Sequence, residues 1–164
     1  MTKLYWLDET WPGKLALAAR PRGGEWLEDD LDAWKHEDVD AVLSLLTSDE
    51  ERALELVSEP LEARRMGLRF VSFPIADRDV PQSEAELVKA LEEASRLLVQ
   101  GKNLVVHCRQ GVGRSGLVAA CLLVRKGMSP GAAVDKVSVA RGVAVPETPE
   151  QREWIDHFAG AYTK

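Results

Sequence analysis

Residues 103–126 read NLVVHCRQGVGRSGLVAACLLVRK. Asn103–His107 is a short apolar strand, Cys108–Arg114 a glycine-containing loop, and Ser115–Lys126 an apolar helix that Gly127 ends. A strand that feeds a helix through a tight loop is one unit of a parallel sheet, and the flanking sequence repeats it. Upstream, Val39–Leu46 reads as a buried strand, and Thr47 or Ser48 caps an acidic turn that opens a helix. Pro60 interrupts the helical stretch that runs on to Met66, and Gly67 closes it. Leu68–Phe73 is rich in strand formers, and Ser83–Gln100 is a long amphipathic helix. Ser129-Pro130 starts a helix that runs to about Ala140, and Thr148-Pro149-Glu150-Gln151 starts the last one. Near the start, Lys3–Leu7 and Leu15–Ala18 form a candidate strand pair, and Gly23–His36 an acidic helix. Strands alternating with helices predict an α/β fold: one domain over residues 1–164, with a central, mainly parallel mixed sheet flanked by helices on both faces. Sites in such sheets lie at the carboxyl ends of strands, where the Cys108 loop falls.

Composition sets the outer bounds. A chain of 164 residues, 45% hydrophobic and 29% charged, can bury a core and is not disordered. Its longest uncharged apolar run, Ser115–Val124, is ten residues, half of what a membrane span needs. The start, MTKLYWLDETW, shows no basic leader before an apolar stretch, so a cytoplasmic chain is expected. Two cysteines exclude a disulfide framework and a four-thiolate zinc site, and three scattered histidines have no metal-binding spacing. Neither a metal nor a cofactor is expected. The net charge of −6 argues against nucleic acid. Residues 1–100 carry 12 basic and 22 acidic side chains, and residues 101–164 carry 9 and 5. The positive end leaves room for a local anion site.

The loop has the chemistry for one. The first N–H groups of the following helix lack internal partners and lie at its positive end. Gly111 and Gly113 let the backbone curl, so that the amides of Arg109, Gln110, Gly111, Val112, Gly113 and Arg114 form a nest for phosphate. Arg114 adds a planar fork for two phosphate oxygens. Cys108 begins the cradle, where the amides and Arg114 favour its thiolate, an activated nucleophile. Cys121 lies mid-helix and reads as core. The loop also satisfies G-x-G-x-x-G at Gly111–Gly116. A dinucleotide site would then need an acidic strand end about twenty residues on. Asp135 lies near that distance but inside a helical segment.

This stretch resembles the cysteine-dependent protein phosphatases, whose signature His-Cys-x5-Arg-Ser/Thr is met by His107, Cys108, Arg114 and Ser115. At this length the chain is similar to the compact dual-specificity, kinase-associated-phosphatase-like members. The resemblance implies a phosphoprotein phosphatase that works through a phosphocysteine on phosphotyrosine, with phosphoserine and phosphothreonine also in range. It implies a supporting role for His107 and a hydroxyl at Ser115 that stabilises the departing thiolate. It places the general acid in Pro74-Ile75-Ala76-Asp77, with Asp77 preferred to Asp79. It matches Thr148-x-x-Gln151 to a segment that positions the hydrolytic water, although the same pattern is a helix-capping box. Arg141 reads as a solvated turn residue. The acidic run Glu25–Asp40 reads as a solvated face, and the four tryptophans at 6, 11, 26 and 34 as packing on the sheet. The expected partner is a phosphorylated protein, with no nucleic acid and no membrane, and the chain a monomer. Three rivals remain: a phosphoinositide or other small phosphomonoester phosphatase, a non-catalytic phosphate-binding module, and a persulfide or arsenate-type thiol enzyme.

Overall fold

The computed structural model describes residues 2–8 and 11–162, the side chain of Tyr162 aside. Five strands form one sheet: β1 (Tyr5–Trp6), β2 (Leu15–Ala18), β3 (Ala41–Ser44), β4 (Arg69–Ser72) and β5 (Leu104–His107), in the order β1-β2-β5-β3-β4. β1 runs antiparallel to β2, and the other pairings are parallel. The helices are α1 (Leu27–His36), α2 (Ser48–Ala53), α3 (Glu59–Arg65), α4 (Glu84–Val99), α5 (Gly113–Arg125), α6 (Pro130–Arg141) and α7 (Pro149–Tyr162). The expected α/β sheet with helices on both faces is therefore what the chain adopts.

Every residue of β2, β3 and β5 is buried, because each strand presents both faces to helices. Leu15, Leu17, Leu43 and Val106 point into the core shared with α4, α5, α6 and α7. Ala16, Ala18, Val42 and Val105 point the other way, to Leu27, Leu31 and Trp34 of α1. α5 is buried from Gly113 to Val124 and carries apolar residues all round, as a central helix requires.

The elements depart from the sequence reading in instructive places. The stretch 48–66 is two helices, and Pro60 sits in the first turn of α3, where its missing N–H costs nothing. α5 starts at Gly113, two residues earlier than expected, so part of the loop is already helical. Asp135, in agreement with the sequence reading, lies within α6 and not on the strand that a dinucleotide site would need. The acidic run is not wholly solvated: Asp30 is buried and pairs with Arg22 at 2.7 Å. Of the tryptophans, Trp34 is fully buried and donates its indole N–H to the Thr2 carbonyl at 3.0 Å, and Trp11 is in the core. Trp26 does not pack on the sheet. It is 49% exposed, and the Arg22 guanidinium covers its ring at 4.8 Å.

Burial alone would raise the Asp30 pKa, but hydrogen bonds from the Arg22 side chain and backbone outweigh it and hold the carboxyl below its ordinary value. A depressed carboxylate stabilises the fold at neutral pH, and that contribution is lost as pH falls through the folded-state value. Arg22 is partly exposed, so the loss on mutation is moderate. Asp30→Ala should lower stability by about 1–3 kcal/mol at pH 7. In urea unfolding, the gap between variant and wild type should narrow as pH drops below the carboxylate range.

Candidate active site

The loops that leave β3, β4 and β5 meet at one end of the sheet. Between them lies a cavity of about 180 Å³ lined by Asp77, Arg78, Cys108, Arg109, Gln110, Gly113, Arg114 and Glu147. A larger open groove of about 700 Å³ runs along β4 and contains no cysteine or histidine.

Cys108 is the first residue after β5, and its Sγ accepts a hydrogen bond from the Gly111 N–H at 3.2 Å. The loop's orientation follows from its carbonyls. The Arg109 carbonyl accepts from the Arg20 N–H at 3.3 Å. The Gln110 and Gly111 carbonyls accept from Arg141 Nη2 and Nε at 3.2 and 3.0 Å. A trans peptide directs its C=O and the following N–H to opposite sides. With these carbonyls held by Arg20 and Arg141, the N–H that follows each is turned away from that partner, and the Gly111 N–H meets the sulfur. Arg141 is therefore no solvated turn residue. It closes α6, lies with its guanidinium 4.0 Å from the Tyr5 ring centre and braces the loop. Gly111 has φ +73°, and a Cβ there would lie 2.5 Å from the Ala18 backbone.

Arg114 is 2% exposed. Its end-on fork grips Glu50, with Nη1 at 2.6 Å and Nη2 at 2.9 Å from the two carboxylate oxygens. Nη1 also donates to the Ile75 carbonyl at 2.8 Å, and Nη2 to Asp77 Oδ1 at 3.2 Å. Four of the five guanidinium N–H groups are thus used, and Nε–H completes the side-on fork together with the Nη2 proton that Asp77 holds. Burial would lower the Arg114 pKa, but the hydrogen bond to Glu50 and the charges of Cys108, Glu50 and Asp77 hold it above its ordinary value. Burial would raise Glu50, but hydrogen bonds from Arg114 and Thr47 hold it below the usual carboxylate value. Glu50 also closes the capping box of α2 with Thr47. That helix-start pattern is the one trace of it in the sequence.

The two aspartates offered as general acid, on the loop after β4, separate. Asp77 faces the cavity, half-exposed. Asp79 turns back on its own loop, where its Oδ1 accepts from the Val80 N–H at 2.7 Å. His107 is fully buried, with Nε2 2.7 Å from Glu59 Oε2 at the start of α3. Glu59 carries no recognisable signal in the sequence. Ser115 Oγ is buried beside the loop and has no hydrogen-bond partner among the described residues. Gln151 is fully buried, caps α7 with Thr148, and donates from Nε2 to the Asp79 carbonyl at 3.0 Å. The capping reading is met, and the same side chain ties α7 to the loop after β4. Cys121 is buried in mid-α5, and burial pushes its thiol up from the ordinary value. Both cysteines are free.

A family model described as "polymorphic toxin system, DSP-PTPase phosphatase" matches residues 16–128, from β2 through the end of α5. The chain belongs to the DSP-PTPase phosphatase family. Among curated proteins, one of Invertebrate iridescent virus 6 that is named as a tyrosine phosphatase is 32% identical over 97 residues, 57% of this chain and 35% of the relative. Cyclin-dependent kinase inhibitor 3 of Homo sapiens is 36% identical over 87 residues, 52% of this chain and 41% of the relative. These matches span less than half of either relative's length. The crystal structure of kinase-associated phosphatase with its catalytic-site cysteine replaced by serine shares the fold, with a TM-score of 0.88 at 23% identity over 98% of this chain and 96% of the other. The family gives the cavity its context: the shared region contains both the loop after β4 and the Cys108 loop.

Two outcomes follow from this geometry. Gly111→Ala should destabilise the fold by about 2–4 kcal/mol in chemical denaturation, since both the positive φ and the Ala18 backbone oppose a methyl group. Iodoacetate, an anion sized for the cavity, should alkylate Cys108 and spare Cys121 in the native protein. Peptide mass mapping would show this, with no native-state uptake in Cys108→Ser.

Proposed function

We propose that this chain is a phosphoprotein phosphatase that works through a phosphocysteine intermediate. The observation that carries the reading is the convergence of Cys108, Arg114 and Asp77 on one cavity, beside a loop whose Gly111 N–H meets the sulfur. The Cys108 thiolate attacks phosphorus, and the bond to the leaving oxygen breaks. The amides of residues 109–114 hold the equatorial oxygens where charge gathers. Arg114 joins them through its side-on fork, Nε and Nη2. That step needs Nη2 to release Asp77, so phosphate binding frees the carboxyl to protonate the leaving oxygen. Water then hydrolyses the phosphocysteine, a step in which the phosphatase resemblance makes Asp77, now deprotonated, the base. The Ser115 hydroxyl, which has no other partner among the described residues, is available to donate to the departing sulfur. His107, held by Glu59, supports the loop from below. The thiolate supplies the nucleophile and Arg114 the positive charge, so the chemistry calls for no metal.

The test is hydrolysis of a chromogenic aryl phosphate and a phosphotyrosyl peptide in EDTA. Turnover should persist in EDTA and vanish in Cys108→Ser. On the peptide it should fall by about 10²–10⁴ in Asp77→Ala, while Asp79→Ala keeps most of it. Full activity in Cys108→Ser would overturn the mechanism. Phosphoinositide micelles turned over far faster than the peptide would move the substrate from protein to lipid.

A further inference from the structure

Hydrolysis of the phosphocysteine needs a group that holds and deprotonates the attacking water. The phosphatase resemblance gives the positioning of that water to Gln151, but here its acceptor is already committed. Gln151 Oε1 accepts from the N–H groups of Glu147 and Thr148 at 3.1 and 3.2 Å, which fills both lone pairs. Its Nε2 is held by the Asp79 carbonyl, and the residue is fully buried.

Glu147 is the residue that this turn presents to the cavity. It lines the wall beside Cys108, Arg114 and Asp77. Its Oε2 pairs with Arg78 Nη1 at 3.2 Å. Its Oε1 accepts no hydrogen bond from the described residues and lies 2.9 Å from the point where a Cβ on Gly113 would sit. Gly113 is the first residue of α5 and is itself part of the cavity wall. One carboxylate oxygen is thus oriented by an arginine, and the other is free at the mouth of the anion nest. The Gln151 bond to the Glu147 backbone holds the whole turn in place.

We propose that Glu147 is a further catalytic residue, the base for hydrolysis of the phosphocysteine. It rests on the phosphatase reading above. Water donates a hydrogen bond to Oε1 and its oxygen attacks phosphorus. The new P–O bond forms as the P–S bond breaks, the electron pair returns to Cys108 Sγ as thiolate, and the water proton passes to Glu147. Inorganic phosphate leaves, and Glu147 releases its proton to solvent. Arg78 orients the base and Gln151 positions the turn that carries it; the part of base that the resemblance gives to Asp77 thus passes to Glu147, and Asp77 serves the first half-reaction.

The experiment is rapid mixing of p-nitrophenyl phosphate with wild type, Glu147→Gln, Arg78→Ala and Cys108→Ser, with acid quench to trap phosphoenzyme. In Glu147→Gln the first turnover should stay within about twofold of wild type while steady-state turnover falls about tenfold or more, and phosphoenzyme should accumulate. Arg78→Ala should show a smaller fall of the same kind. First turnover and steady state dropping together would overturn the proposal, because a merely structural latch gives that result. Unchanged steady-state turnover in Glu147→Gln would also overturn it. A wild type that releases no more nitrophenolate than Cys108→Ser would overturn the phosphatase reading itself.

Discussion

A guanidinium buried to 2% exposure cannot stand without a counter-charge, and the active end of this molecule is organised around that requirement. Removing a cation from water costs several kcal/mol even after relaxation, and only close, well-aligned partners offset it. Arg114 finds them on the loops after β3, which adjoins its own strand, and β4, the next strand out. Glu50 comes from the loop and helix after β3, and Ile75 and Asp77 from the loop after β4. β4, β3 and β5 are consecutive in the sheet, so their carboxyl ends open side by side. One buried side chain therefore pins three loops and brings Asp77 to the cavity that Cys108 lines. In the proposed mechanism the same contact lets substrate prepare the acid. The Nη2 proton that a phosphate oxygen would take is the one that holds Asp77.

The nest itself depends on what lies behind it. The loop N–H groups turn away from the partners that hold the carbonyls before them, and those partners are the Arg20 N–H and the Arg141 side chain. Arg141 reaches the loop from the end of α6 and rests on Tyr5 of β1, so the edge strand contributes to the site without touching the cavity. His107 is braced from the opposite side by Glu59 of α3. The cradle is thus supported from both faces of the sheet. This arrangement restricts the loop more than its two glycines alone suggest.

Much of the fold was legible because its signals are local. Continuous apolar runs such as Leu104–Val106 mark strands buried on both faces, and Gly67, Gly101 and Gly127 mark helix ends. Cys108, Arg114 and Ser115 were legible for the same reason, since a strand, a curled loop and a helix start are contiguous in sequence. Pro60 rightly marked a break in the helical stretch but stands just after it, because proline is accommodated in a helix's first turn. The acidic run misled at Asp30 because a carboxylate's burial depends on whether a cation folds over it, and Arg22 lies eight residues away across a turn.

The residues that sequence could not reach are those whose partners are distant. Glu50 lies 64 residues from Arg114, Glu59 lies 48 from His107, and Arg141 lies 31 from Gln110. Each is one charged residue among many until the sheet brings it to its partner. The sequence by itself determined the strand–loop–helix unit that carries Cys108 and Arg114 and the alternating α/β order, because backbone propensity and local spacing encode them. Tertiary structure alone decided which carboxylates serve Arg114 and His107, which aspartate faces the sulfur, and that Glu147 joins the cavity. Electrostatic pairing in a desolvated site depends on distance in space, and chain separation carries no record of it.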